Sequence, residues 1–173
     1  MDKKTTRKNY IIALTFSVLL IILDQVTKYL AVIHLKNSEG IDIIPNVFKL
    51  HYLENRGAAF GIMQGRQGFF FIMTIIVLVA IIYVYGKIPV ERYFILMRIC
   101  SILLFSGAIG NMIDRSIQNY VVDFLYFELI DFPIFNVADI YVTVSTIVFI
   151  LSILFYYKES DLEQIKLLPN KKK

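Results

Sequence analysis

The sequence predicts an all-α polytopic membrane protein, with four transmembrane helices and a small sheet on one side. Three observations carry this. Hydrophobic residues make up 57% of the 173 residues against 18% charged, with a mean hydropathy of +0.64, too oily for a soluble domain of this size. Apolar stretches at 10–33, 68–85, 93–113 and 134–157 match the ~20 residues that cross a hydrocarbon core of roughly 30 Å. Basic residues gather in the segments that a four-span arrangement puts on one side.

The first stretch begins as a secretory signal would, with a basic run before apolar sequence. It then continues through "DQVTKYLAVI" instead of closing on small residues of A-x-A type. We expect an uncleaved first span in a single membrane domain, 1–173, without linker or repeat. Lys3, Lys4, Arg7 and Lys8 precede that span, Lys87 and Arg92 lie in the second connection, and Lys158, Lys166 and Lys171 to Lys173 follow the last. The positive-inside rule therefore makes both termini cytoplasmic. A net charge of +4 distributed this way points to anionic lipid, with no nucleic-acid partner. Cys100, the only cysteine, lies in the third span and reads as a small buried hydrophobe.

The external connections are then 34–67 and 114–133. In the first, "VFKLHYLEN" alternates partly and reads as a short strand, and Pro45-Asn46 before it reads as a turn. "NRGAAFG" follows as a turn back toward the bilayer. In the second, "YVVDFLYFELIDF" mixes aromatic and acidic residues, as suits a segment lying along the interface.

Polar residues within the spans cluster at their outer ends. Asp24 and Lys28 are four apart on one helical face. Gly107, Gly110, Asn111 and Asp114 form a stripe on the third helix with Arg115 beside it, and Asn136, Asp139, Thr143 and Thr146 share a face of the fourth. Charge within a span is costly, so this gathering at one depth suggests a shared polar site. Plainer readings stand beside it. Asp24 with Lys28 is also a structural ion pair, Asp114 with Arg115 a helix-end pair, and the two glycines a close-packing device. Asp123, taken alone, is a loop carboxylate like Glu128 and Asp131.

His34 and His51 form no H-E-x-x-H arrangement, and neither a G-x-S-x-G elbow nor a Walker-type loop is present, so no metal or cofactor is implied. Carboxylates remain. Two aspartates held close share one proton, and such a pair can activate water and protonate a leaving amine. Spacing alone leaves the choice open among Asp24, Asp114, Asp123 and Asp139. A transporter would instead carry polar residues through to the inner face, where the sequence is nearly unbroken apolar and Arg98 reads as close to the edge. A nonenzymatic lipid-binding protein fits the composition but gives no account of aspartates in these particular blocks.

The ordered blocks "DQVTK", "NRGAAFG", "GAIGNMIDR", "VVDF" and "FNVAD" resemble those of the bacterial lipoprotein signal peptidases, signal peptidase II, over nearly the whole chain between its tails. The resemblance implies a membrane aspartyl endopeptidase of the bacterial cytoplasmic membrane, active near the outer face. It would cleave diacylglyceryl-modified prolipoproteins before the lipidated cysteine, with Asp123 and Asp139 as catalytic residues and no cofactor. It also implies that Asp24, Lys28, Asn55, Gly57, Asn111, Arg115 and Asn136 bind substrate or support the pocket, and that Gly107, Gly110 and Asp114 give structural support. It further implies a β-cradle from the first external connection and an interfacial helix in the second; a monomer is assumed, and Phe60 and Phe69 are expected either to wall the site or to face lipid as interfacial aromatics. Ile140 and Tyr141 follow Asp139 where many members have a serine next.

Overall fold

The computed structural model describes residues 3–57 and 66–165, with side chains from residue 7 onward. Residues 58–65, including Phe60, and the basic positions Lys166 and 171–173 lie outside the described residues. The chain runs α1 (Lys3–Leu35), β1 (Ile41–Ile44), β2 (Phe48–Asn55), α2 (Gln67–Lys87), a 3-10 turn (Arg92–Phe94), α3 (Ile95–Gln118), β3 (Val121–Tyr126), a second 3-10 turn (Glu128–Ile130), α4 (Val137–Phe155) and α5 (Glu159–Gln164).

Helices α1 to α4 are long and apolar enough to cross a membrane, and their large apolar side chains point outward: Leu14 is 63% exposed, Val79 61% and Leu154 65%. That inside-out pattern suits hydrocarbon as solvent. Two ends differ from the apolar stretches for local reasons. α3 continues to Gln118, where Asn119 turns left-handed at φ 62° and its N–H closes on the Arg115 carbonyl. α4 starts at Val137 because Asn136, in extended conformation, caps it: Asn136 Oδ1 accepts from the Asp139 N–H.

α3 occupies the middle, packed on α4, α1 and α2. Glycine permits the closest approaches. A Cβ on Gly107 would stand 2.5 Å from the Ala138 carbonyl oxygen, and one on Gly110 would overlap the Asp24 carboxylate. At one end, Ile88, Phe94, Met97, Tyr157 and Ile165 form a small core that seats the short helix α5 against the α2–α3 connection, where Tyr93 Oη donates to Asp161 Oδ2 at 2.9 Å.

The other end carries an antiparallel sheet in the order β1-β2-β3. β1 and β2 are joined by a type II turn, with Pro45 setting φ, Asn46 at φ 59° and the Val47 N–H bonded to the Ile44 carbonyl at 3.0 Å. The expected strand in "VFKLHYLEN" is β2; β1, only four residues long, is an addition. Sequence 121–126, expected to lie along the interface, is the third strand, and the helical part of that connection is one 3-10 turn whose Leu129 and Ile130 are exposed. Its β-branched and aromatic residues find a partner in β2, with Asn55 opposite Val121 and Leu53 opposite Asp123. Because side chains alternate, Val122 and Phe124 face one way and pack on Ala31 and Leu35 of α1, while Asp123 faces the other. Phe135 then bonds back to β3: its N–H reaches the Leu125 carbonyl, and its carbonyl accepts from Phe124 and Leu125.

Candidate active site

That stitch places the start of α4 beside the middle of β3, and so Asp139 beside Asp123. Asn136 joins them. Its Nδ2 donates to Asp123 Oδ1 at 2.6 Å, while its backbone N–H donates to Asp139 Oδ2 at 3.1 Å. Each aspartate also has an asparagine of its own: Asn55 Nδ2 donates to Asp123 Oδ2 at 2.8 Å, and Asn111 Nδ2 donates to Asp139 Oδ1 at 2.8 Å. β2, α3, β3 and the first turn of α4 thus each contribute one part.

Behind the pair lies a buried ionic cluster. Lys28 Nζ is 2.9 Å from Asp24 Oδ2 and 3.1 Å from Asp114 Oδ2, with all three side chains at most 5% exposed. It also donates to Asn111 Oδ1 at 2.9 Å. Asn111 Oδ1 accepts from Asn136 Nδ2 as well, at 3.2 Å, so its amide can present only Nδ2 to Asp139. Asp24 Oδ1 accepts the Ala138 N–H at 2.9 Å, placing a carboxylate where the dipole of α4 favours one, and Asp114 Oδ2 accepts the Val122 N–H at 3.2 Å, tying α3 to β3. Asp114 therefore pairs with Lys28, not with its neighbour Arg115. Gln25, which the sequence reading passed over, donates through Nε2 to Asp24, Asp114 and the Gly110 carbonyl. Its place in "DQVTK" beside Asp24 was the available signal.

Asn55, Asn111, Arg115, Asp123 and Asp139 open on one cleft of about 390 Å³, whose apolar walls include Phe132, Phe135, Ile140 and Val144. Arg115 Nη2 donates to the Gly57 carbonyl at 3.3 Å, its guanidinium lies 5.0 Å from the Phe70 ring centre, and its buried Nε has no hydrogen-bond partner among the described residues. Gly57 is held in turn by its N–H to Asn55 Oδ1 at 3.0 Å. Phe69, expected as a wall, is half exposed; Phe70, one residue on, is the ring that meets Arg115. Ile140 lines the cleft, and Tyr141 points back to α1, its hydroxyl 3.5 Å from the Leu20 carbonyl. Burial, and then the nearby Asp139 carboxylate, push the Asp123 carboxyl up to about 7.

Fold and site together define a multi-pass membrane protein that encloses a carboxylate pair at one end of its bundle. A family model described as "Signal peptidase (SPase) II" matches residues 16–155, and the chain belongs to that peptidase family. It is 40% identical over 151 residues to the lipoprotein signal peptidases of Staphylococcus aureus strains Newman and N315, covering 85% of this chain and 91% of each relative. Two solved bacterial membrane enzymes share the fold. One, determined at 2.3 Å, superposes with a TM-score of 0.76 at 38% identity, covering 85% of this chain and 92% of the other. The second, at 1.9 Å, gives 0.72 at 39% identity, covering 84% and 94%.

Proposed function

We propose that the protein is an aspartic endopeptidase that removes signal peptides from diacylglyceryl-modified prolipoproteins, cutting before the lipidated cysteine with Asp123 and Asp139 as a catalytic dyad. One observation carries this reading: a buried aspartate on β3 and a half-buried one sixteen residues on, in the first turn of α4, meet at one asparagine and open on the same cleft. Water between them gives up a proton to the ionised carboxylate as its oxygen attacks the scissile carbonyl carbon. The proton on the other passes to the leaving nitrogen as the C–N bond breaks. The signal peptide leaves with a new carboxylate and the lipidated cysteine with a new amine. Asp123, with its carboxyl near 7, suits the proton-bearing member, and the Lys28–Asn111 bridge suits an anionic Asp139.

The sheet end is taken as the outer face, because Lys87, Arg92 and Lys158 lie at the other. A substrate anchored by its acyl chains delivers its scissile bond to that interface, and the apolar cleft walls suit the chains and the signal helix. All the groups named come from one chain, so a monomer suffices. The test is cleavage of a diacylglyceryl-modified prolipoprotein by the purified protein in detergent. Asp123→Asn and Asp139→Asn are each expected to abolish turnover with thermal unfolding still cooperative; normal cleavage by either variant refutes the dyad.

A further inference from the structure

Arg98 has no part in the site. It lies in the first turn of α3, at the end of the bundle opposite the sheet. Its Nη2 donates to Tyr85 Oη at 2.7 Å, its guanidinium lies 4.5 Å from the Tyr85 ring centre, and Nη1 reaches the Ile88 carbonyl at 3.5 Å. All of these partners are neutral. Among the described residues no carboxylate forms a salt bridge with it, whereas Lys28, also within the bundle, has two. At headgroup level a guanidinium with donors to spare matches an anion presented as a fork of oxygens.

A cleft of about 480 Å³ runs from Arg98 and Asn9 between α1 and α3, walled by Ile12, Phe16 and Leu20 on one side and Ile99 and Leu103 on the other. From residue 9 to residue 20 the helix rises about 16 Å at ~1.5 Å per residue. That is close to half of the roughly 30 Å hydrocarbon core, the depth of one leaflet. The cleft is therefore one acyl chain deep, apolar along its length and cationic only where a headgroup would sit. We infer that it binds an anionic phospholipid of that leaflet, with one chain between α1 and α3 and the phosphate on the Arg98 guanidinium. The lipid supplies the negative charge that the protein withholds, and it fills the gap between the two helices.

Native mass spectrometry of the full chain in detergent tests this, with phosphatidylglycerol and phosphatidylcholine of identical chains added at equal ratio. Phosphatidylglycerol is expected to be retained about fivefold over phosphatidylcholine, the ratio one basic side chain at a lipid surface confers. Arg98→Gln should bring that ratio close to one. Ile99→Trp, which fills the cleft and leaves the charge in place, should lower retention of both lipids while the thermal transition persists. Free glycerol phosphate should not displace the lipid. A wild-type ratio near one, an unchanged ratio in Arg98→Gln, wild-type retention in Ile99→Trp, or displacement by glycerol phosphate each overturns the inference. Should Arg98→Gln fail to fold, the Ile99→Trp and wild-type ratios decide it alone.

Discussion

Asn136 Nδ2 lies 2.6 Å from Asp123 Oδ1, while Asn136 Oδ1 receives the backbone N–H of Asp139 at 3.0 Å. One side chain thus caps α4 and positions both aspartates. Asn136→Ala should cost the roughly 0.5–2 kcal/mol of a lost helix cap. Activity should fall much further, by on the order of 10²-fold or more, as acid–base groups lose their alignment. Parallel thermal unfolding and peptide-cleavage assays check this; a loss of activity no larger than the loss of stability contradicts it.

Lys28→Met leaves Asp24 and Asp114 buried without their cation. The expected destabilisation is about 3–5 kcal/mol, typical of breaking a buried pair from one side. Adding Asp24→Asn removes one of the stranded charges, so the double variant should unfold at a higher temperature than Lys28→Met alone.

Gly110→Ala drives a methyl group into the Asp24 carboxylate and against the Ala138 Cβ. It should destabilise by about 1–3 kcal/mol, as overpacking does. Gly68→Ala, with nothing within 4 Å of the added carbon, should stay within about 0.5 kcal/mol of wild type.

Asp123 sets a pH dependence. Its carboxyl stands near 7 in the fold and near 3.8 in the unfolded chain, so between those values the fold binds the extra proton. The stability this confers is fully present below about pH 4 and is lost as pH rises through about 7. Melting temperature should decline across that window, and Asp123→Asn should flatten the decline. Turnover should fall above neutrality as the dyad loses its single proton, which a cleavage profile from pH 5 to 9 reads directly.

Helical elements were legible because each span writes itself as one long apolar run, and β2 because its alternation is local. β3 was not. Val121 to Phe124 has one polar residue among apolar ones, and its pairing with β2 depends on contacts far away in sequence. The ion pair of Asp24 with Lys28 was visible at four-residue spacing, whereas the bridge from Lys28 to Asn111 exists only once α1 and α3 pack. For the same reason, residue types alone left four aspartates in contention, and only the family likeness chose two. α5, six residues with a single apolar position, carried too little periodicity to register.

The backbone bonds of Phe135 to Leu125 and Phe124 have a mechanical meaning. They weld the surface sheet to the first turn of a buried helix, so the spacing of the two carboxylates is gauged from outside the hydrocarbon. A perturbation that peels the sheet away would silence the enzyme while leaving all four spanning helices in place, and the helical signal in circular dichroism would not register the damage.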